Sequence, residues 1–411
     1  MADSNDHKIL GKELDLFTFS ETVGKGLPLW TSKGATIRRE LERFIVDEEI
    51  KRGYSHVYTP DIANLALYKK SGHYPYYKDS MYAPIVIDDE EYMLRPMTCP
   101  HHFELYLSKP RSYRELPMRI AELAKLYRYE QSGELMGLQR VRSFCLSDAH
   151  IVTQKENVQE EIDKVLDLIG FFTKTLGLIE GKDYSYRLSL GDRNDKNKKF
   201  HKDDGSWDTA EAILRKALQS RKAKFLEAVG EAAFYGPKID IQMVNANGKE
   251  DTAFTVQYDF VMPKRFDLKY IDENGERIEP VVIHRSGIGA IERTIAFLIE
   301  KYKGAFPTWL SPVQVKVLPI TERNIKFAEQ ICEQLKKENI RTELDDDNET
   351  LGNKIRKAQN EKVNYMIIIG DKEEKENKIA VRTREGKDLG QMELDKFILK
   401  IKEEIESKSL A

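Results

Sequence analysis

Apolar residues first settle into a helical period near the N-terminus. Ile37, Leu41, Phe44, Ile45 and Ile50 predict an amphipathic helix over Ser32 to Arg52, and Gly53 ends it. The period then shortens. Ser55 to Pro60, Tyr92 to Leu94 and Ile120 to Glu130 read as strands, although Leu123 to Leu126 alone could pass for helix. Asn157 to Gly177 is again amphipathic and helical. Thr209 to Val229 is helical in places, with a basic stretch from Arg215 to Lys224. Pro237 to Met243, Thr252 to Val261 and Val281 to His284 alternate like strands, and Ile288 to Lys303 reads as a helix led by glycines. Strands that follow one another without a helix at each crossover point to an antiparallel sheet, not a doubly wound parallel one.

Pro307-Thr308-Trp309-Leu310-Ser311-Pro312 breaks this rhythm. We therefore divide the chain into domains at residues 1–309 and 310–411. In the second, Val313 to Pro319, Arg341 to Leu344, Tyr365 to Ile369 and Ile379 to Thr383 read as strands. Glu322 to Glu338, Leu351 to Glu361 and Leu394 to Glu406 read as helices. That alternation predicts a small α/β domain.

Composition narrows the class. A chain of 411 residues predicts two or three domains, and 40% hydrophobic with 33% charged residues is ordinary for a globular protein. No apolar run approaches a membrane span, and Met1 to Lys8 is polar, without a signal-peptide core. Cys99, Cys145 and Cys332 are too few and too scattered for a disulfide framework and fit a reducing cytoplasm. A net charge of −3 argues against a dominant basic tail but leaves room for a local basic groove.

Two stretches carry chemistry. In Leu126-Tyr127-Arg128-Tyr129-Glu130 an extended chain puts Arg128 and Glu130 on one face, and a loop containing Gly133 and Gly137 returns the chain to Arg140 and Arg142. Arginine forks suit phosphates, and a carboxylate can accept from a base amino group. An exposed hairpin with solvated charges explains the same spacing. Cys99-Pro100-His101-His102 has the residue types of a zinc site, yet one cluster supplies too few ligands and no CxxC or HxxxH partner follows.

Taken together, these stretches resemble the class II aminoacyl-tRNA synthetases. Tyr127 to Glu130 with Arg140 to Phe144 is similar to their motif 2. The helix and strand ending at Pro60 are similar to motif 1, and Gly287-Ile288-Gly289-Ala290-Ile291-Glu292-Arg293 to motif 3. Met97-Thr98-Cys99-Pro100, Ser147-Asp148-Ala149-His150-Ile151 and His284-Arg285 resemble the threonyl-tRNA synthetase family in particular. The resemblance runs from about Leu10 to the C-terminus.

It implies an α+β catalytic domain with a central antiparallel sheet, followed by a small α/β anticodon-binding domain. The implied activity is ATP-dependent ligation of L-threonine to threonine tRNA through a threonyl-adenylate, in a cytoplasmic homodimer joined through motif 1. The implied ligands of one zinc per subunit are Cys99, His150 and His284. His102 also has a counterpart in the family pattern but is not a ligand there, and His101 is a local substitution. Zinc with three protein ligands keeps open coordination for the amino and hydroxyl groups of threonine. Asp148 would accept the substrate hydroxyl, Tyr235 would contact its amino group, and Met97 belongs to the same pocket.

For ATP, bound with Mg2+, the resemblance assigns Arg128 to the α-phosphate, Glu130 to the adenine amino group and Arg140 to the distal phosphates. Phe144 would stack on adenine, Gln257 would touch ribose or phosphate, Gly287 and Gly289 would allow close approach, and Arg293 would hold the γ-phosphate. His73 would assist proton transfer from the tRNA 3′-hydroxyl. Asn348, Glu349, Arg356, Glu373 and Arg382 match positions that contact the anticodon.

The chain departs from the pattern at Leu146-Ser147, where the family usually has Gln-Asp. The resemblance to the core begins almost at once, so the N-terminal editing region that many threonyl-tRNA synthetases carry is not expected. Serine lacks only a methyl, a difference of roughly 1–3 kcal/mol, so misacylation with serine is expected. The rival readings are a prolyl- or seryl-type synthetase, a synthetase-like regulator without catalysis, and a generic RNA-binding protein.

Overall fold

The structure is a computed structural model that describes residues 5–196 and 199–410; residues 1–4 of the polar N-terminus lie outside it. The chain falls into two compact units. One comprises Phe19–Pro28 and Glu42–Phe297, the other Met1–Thr18, Leu29–Leu41 and Leu298–Ala411.

The first unit is built on eight strands: β1 (Ser55–His56), β2 (Met118–Tyr127), β3 (Ser143–Thr153), β4 (Tyr184–Leu190), β5 (Phe225–Val229), β6 (Lys238–Val244), β7 (Glu250–Asp259) and β8 (Val281–Ala290). They lie in the order β5-β4-β6-β7-β8-β3-β2-β1. Every pairing is antiparallel except β5 with β4 and β1 with β2 at the two edges. The expected antiparallel centre is therefore present.

The predicted N-terminal helix spans Ser32–Lys51 (α1). Ile37, Leu41, Phe44 and Ile45 are buried, but Ile50 is 54% exposed. At about 100° per residue, Ile50 lies roughly 220° around the helix from Ile37, off the apolar stripe. The strand expected over Ser55 to Pro60 shrinks to Ser55–His56. Val57 still donates to the Ala121 carbonyl, but the Thr59 N–H turns to the Glu122 carboxylate at 3.2 Å and leaves the ladder.

The motif 2 strand also stops early. β2 ends at Tyr127, and the Glu130 N–H bonds the Arg128 carbonyl at 3.0 Å, so Arg128 and Glu130 sit in a tight turn and not in a continuous strand. Thr209 to Val229 resolves into a helix, Asp204–Ser220, and strand β5. β8 runs six residues beyond His284, and the helix expected from Ile288 begins at Ile291. The glycines serve the strand. Gly289 has φ +70°, and a Cβ there would come within 2.1 Å of the Ala253 carbonyl oxygen on β7. Strand β4 and the helix α2 (Cys99–Leu107) were not foreseen. Cys99 thus opens a helix, with Pro100 in its first turn.

The C-terminal part of the second unit carries β9 (Val315–Pro319), β10 (Thr342–Leu344), β11 (Tyr365–Ile369), β12 (Ile379–Thr383) and β13 (Asp388–Met392) in the order β10-β9-β11-β12-β13. The first three strands are parallel and the rest antiparallel. Helices Ile325–Lys337 and Leu394–Glu406 bury Ile331, Leu335, Phe397 and Ile401 with the apolar strand residues. This is the expected α/β domain. It also contains the short helix Asp371–Glu376 and strand β13, which polar sequences concealed.

Candidate functional site

A cavity of about 590 Å³ lies over the centre of the eight-stranded sheet. Three adjacent strands supply its floor: Leu146, Asp148 and His150 from β3, His284 to Ser286 from β8, and Thr255 and Gln257 from β7. Side chains alternate along a strand, so positions 146, 148 and 150 face the same side. The turn after β2 and the returning loop bring Arg128, Glu130, Glu134 and Arg140 to the cavity, and His73, Tyr77, Met97 and Cys99 complete it.

At one end, Cys99, His150 and His284 converge. Each is buried, and one ligand atom from each lies within 4.8 Å of the others. His150 and His284 are direct cross-strand partners, with ring centroids 4.6 Å apart. His284 Nε2 lies 2.7 Å from the Asp259 carboxylate. A carboxylate only accepts, so this contact assigns the proton to Nε2 and leaves the Nδ1 lone pair for a ligand. Burial, then the charges of Asp148 and Asp259, push the Cys99 thiol pKa up; burial, then His284, push that of His150 down. A divalent cation would reverse both penalties. One thiol and two imidazoles, one braced by a carboxylate, fit zinc.

Beside this cluster, Asp148 is buried, which raises its pKa. The Tyr235 ring stacks on His284 at 4.8 Å, and its hydroxyl donates to Gln257 Oε1 at 2.6 Å. Gln257 in turn donates to Thr255 Oγ1 at 3.0 Å. His73 has Nδ1 at 2.7 Å from Ser71 Oγ and Nε2 at 4.0 Å from Cys99 Sγ. Burial lowers its pKa to about 3, so the ring is neutral.

At the other end, Arg128 donates from Nε to the Pro96 carbonyl and lies 5.2 Å over the Phe144 ring. Glu130 is 3.5 Å from Arg140. Arg142 does not repeat the arrangement: it stacks on Tyr129 at 4.9 Å and donates to the Glu130 carbonyl. Phe144, Gly289 and Arg293 do not line the cavity. Phe144 is buried beneath Arg128, and Arg293 donates to the carbonyls of Gln139 and Thr252.

Sequence reading overlooked Asp259 and Glu122 and set His102 aside. Asp259 follows Gln257 by two on β7, so the alternation that placed one would have placed the other. Glu122 is a lone acid among Ile120, Ala121, Leu123 and Ala124, the mark of a buried charge with a specific partner.

The anticodon candidates occupy several elements of the C-terminal domain. Asn348 and Arg356 are exposed, and Glu349 is 2.6 Å from Lys357. Glu373 is buried, accepts from the Gly370 N–H at 3.1 Å and bonds Gln391. Arg382 sits half-buried on β12, opposite Met366.

Residues 82–302 match the model of the class II tRNA synthetase core domain (G, H, P, S and T), and residues 314–404 match the anticodon-binding domain. The chain is 50% identical over 408 residues to a threonine–tRNA ligase of Geobacillus kaustophilus, covering 99% of this chain and 62% of that one. It is likewise 50% identical over 405 residues to one from Staphylococcus carnosus, again spanning 62% of the relative. The solved RNA-binding domain of threonyl-tRNA synthetase from Cryptosporidium parvum superposes with a TM-score of 0.91 at 35% identity, covering 99% of both chains. No helix among the described residues is long and apolar enough to cross a membrane. With the core model matching just over half of the chain and a solved relative matching nearly all of it, the chain belongs to the class II tRNA synthetases, in the threonyl-tRNA synthetase family.

Proposed function

We propose that this chain ligates L-threonine to the 3′ end of threonine tRNA by way of threonyl-adenylate. The observation that carries this reading is the convergence of Cys99, His150 and His284 in the same cavity as Arg128, Glu130 and Arg140. A nucleotide end and a metal end share one floor.

A zinc ion held by Cys99, His150 and His284, one per subunit, would offer open coordination to the amino and hydroxyl groups of threonine. Asp148 accepts the substrate hydroxyl, and Tyr235, with its own hydroxyl committed to Gln257, flanks the amino group. Valine has no hydroxyl for Asp148, and a site built for a hydroxyl rejects an isostere that lacks one. ATP binds with Mg2+. Glu130 positions adenine over the Arg128–Phe144 stack, Arg140 takes the distal phosphates, Gln257 touches the ribose, and Arg293 would reach the γ-phosphate only on leaving its carbonyl partners. Gly289 lets the strand pass close beneath.

The threonine carboxylate then attacks the α-phosphorus, Arg128 stabilises the charge of the transition state, and pyrophosphate leaves. In the second step the tRNA 3′-hydroxyl attacks the carbonyl carbon of the adenylate, neutral His73 can accept its proton at Nε2, and the mixed-anhydride bond breaks to release AMP. Residues 1–309 act as the catalytic part and 310–411 as the anticodon-binding part, in which Asn348, Glu349, Arg356, Glu373 and Arg382 meet the anticodon. The enzyme acts as a cytoplasmic homodimer through α1 and the segment to Pro60.

The test is amino-acid-dependent ATP–pyrophosphate exchange in zinc-replete protein. Strong exchange with threonine, weaker with serine and none with valine is the expected order. Absence of exchange with all three would sink the catalytic reading.

A further inference from the structure

Glu122 and His102 have no part in the chemistry above, yet they form a buried chain that ends on a candidate metal ligand. The Glu122 carboxylate accepts from the Thr59 N–H at 3.2 Å and the Thr59 hydroxyl at 2.7 Å, and pairs with Arg95 Nη1 at 3.0 Å. His102 Nε2 lies 3.2 Å from its Oε2. His102 Nδ1 lies 2.8 Å from His150 Nδ1. Glu122, His102 and His150 are at most 2% exposed, so these groups satisfy one another instead of bonding bulk water.

We infer that Glu122 and His102 are positioning residues that fix His150 in one tautomer, with its proton on Nδ1 and its Nε2 lone pair free for the metal. The reasoning follows the protons. Every other partner of the Glu122 carboxylate is a donor, so the carboxylate accepts from His102 as well, and Nε2 of His102 carries the proton. Taken as an imidazole with one donor and one acceptor, His102 donates from Nε2 to Glu122, and its Nδ1 is the acceptor. Two ring nitrogens 2.8 Å apart share a single proton, which therefore resides on Nδ1 of His150. Only Nε2 of His150 then remains to bind a cation. Asp259 imposes the opposite tautomer on His284 through its Nε2. The two imidazoles are thus set before any metal arrives, by carboxylates from two different strands, Glu122 on β2 and Asp259 on β7. Partners of this kind are worth about 10–100-fold in metal affinity.

This inference rests on the metal-site reading, and its test separates the two. Zinc affinity of the full chain is measured by chelator competition for the wild type, His102→Leu, His102→Asn and the ligand variant Cys99→Ala. Nitrogen-15 spectra of the imidazoles are recorded with and without zinc. His102→Leu removes the acceptor and should weaken zinc about 10–100-fold. His102→Asn presents an amide oxygen in place of Nδ1 and should bind within a few-fold of the wild type. His150 should be protonated at Nδ1 even without metal. Unchanged zinc affinity in folded His102→Leu, or a proton on His150 Nε2, would overturn the inference. A wild type that binds no zinc but carries the Nδ1 proton would retire the metal reading and support the tautomer assignment. The spectrum of the wild type decides the matter even where the leucine variant does not fold.

Discussion

Arg285 follows a candidate metal ligand and is almost wholly buried, so its charge must be compensated. Its Nη1 lies 2.6 Å from Glu49 Oε1, and its guanidinium lies 4.3 Å over the Tyr54 ring. Glu49 is 1% exposed and also meets His56 Nε2 at 2.7 Å. Replacing Glu49 with alanine takes away the carboxylate paired with this cation and leaves the Tyr54 side chain against it. Loss of one partner from a buried pair costs about 3–5 kcal/mol. His56 can turn toward solvent and should add little. Replacing both members, as Glu49→Leu with Arg285→Met, removes the unpaired charge, and the double variant should lie within about 2 kcal/mol of the wild type. Hydrogen exchange read on β3 and β8 reports this unit separately from the C-terminal one. A loss of 3 kcal/mol lowers protection on the order of a hundredfold. The reasoning is refuted if Glu49→Ala changes protection less than fivefold, or if the double variant is less protected than the single one.

Two further outcomes are expected. Asp148→Asn should reduce kcat/KM for threonine in pyrophosphate exchange by roughly 10–150-fold, the worth of a hydrogen bond to a charged group, while KM for ATP moves less than threefold; equal losses for both substrates would contradict the assignment of Asp148 to threonine alone. For Glu122, burial raises the carboxyl pKa, but His102, Thr59 and Arg95 outweigh it and hold it at about 2, against an ordinary 4.5. A depressed carboxylate stabilises the fold above its unfolded pKa, and that contribution is lost as pH falls from about 4.5 toward 2. Glu122→Gln should therefore flatten the acid limb of stability against pH in that window, measured by urea midpoints. An acid limb of unchanged slope would show that Glu122 is not a source of acid sensitivity.

Much of this was legible from spacing. The spacing of two put Asp148 on the strand face of His150, and the helix near Ile37 was placed to within a residue. Hidden features had physical causes. The ladder at Ser55 ended early because a side chain, Glu122, took the next backbone donor, and no local pattern announces a partner 63 residues away. β8 ran past His284 because Gly289 lets it pass close to β7, whereas glycines before an apolar run read as a helix start. The ligand set itself could not be derived from spacing. Cys99, His150 and His284 meet only through the β3–β8 register and the start of α2, and it was resemblance that joined them.

That register is where fold and proposed function coincide. His150 pairs with His284 across β3 and β8, and Asp148 with Ser286. A slip of one residue would turn Phe144, Leu146, Asp148 and His150 together to the opposite face. The pairing holds from Val281 to Ser286 and then jumps to Ala290, so the irregularity falls after the last cavity residue of β8. At about 3.4 Å per residue, the four positions of β3 span roughly 20 Å from the aromatic under Arg128 to the metal end. Leu146 lies in the middle of that span, partnered by Ala124 and Ala290. Its side chain offers no hydrogen bond to the cavity it lines. On the proposed reading, the reacting carboxylate and α-phosphate are oriented by Arg128 and not by this position of the floor. Low polarity beneath the phosphate would strengthen the attraction of Arg128 for the transition state.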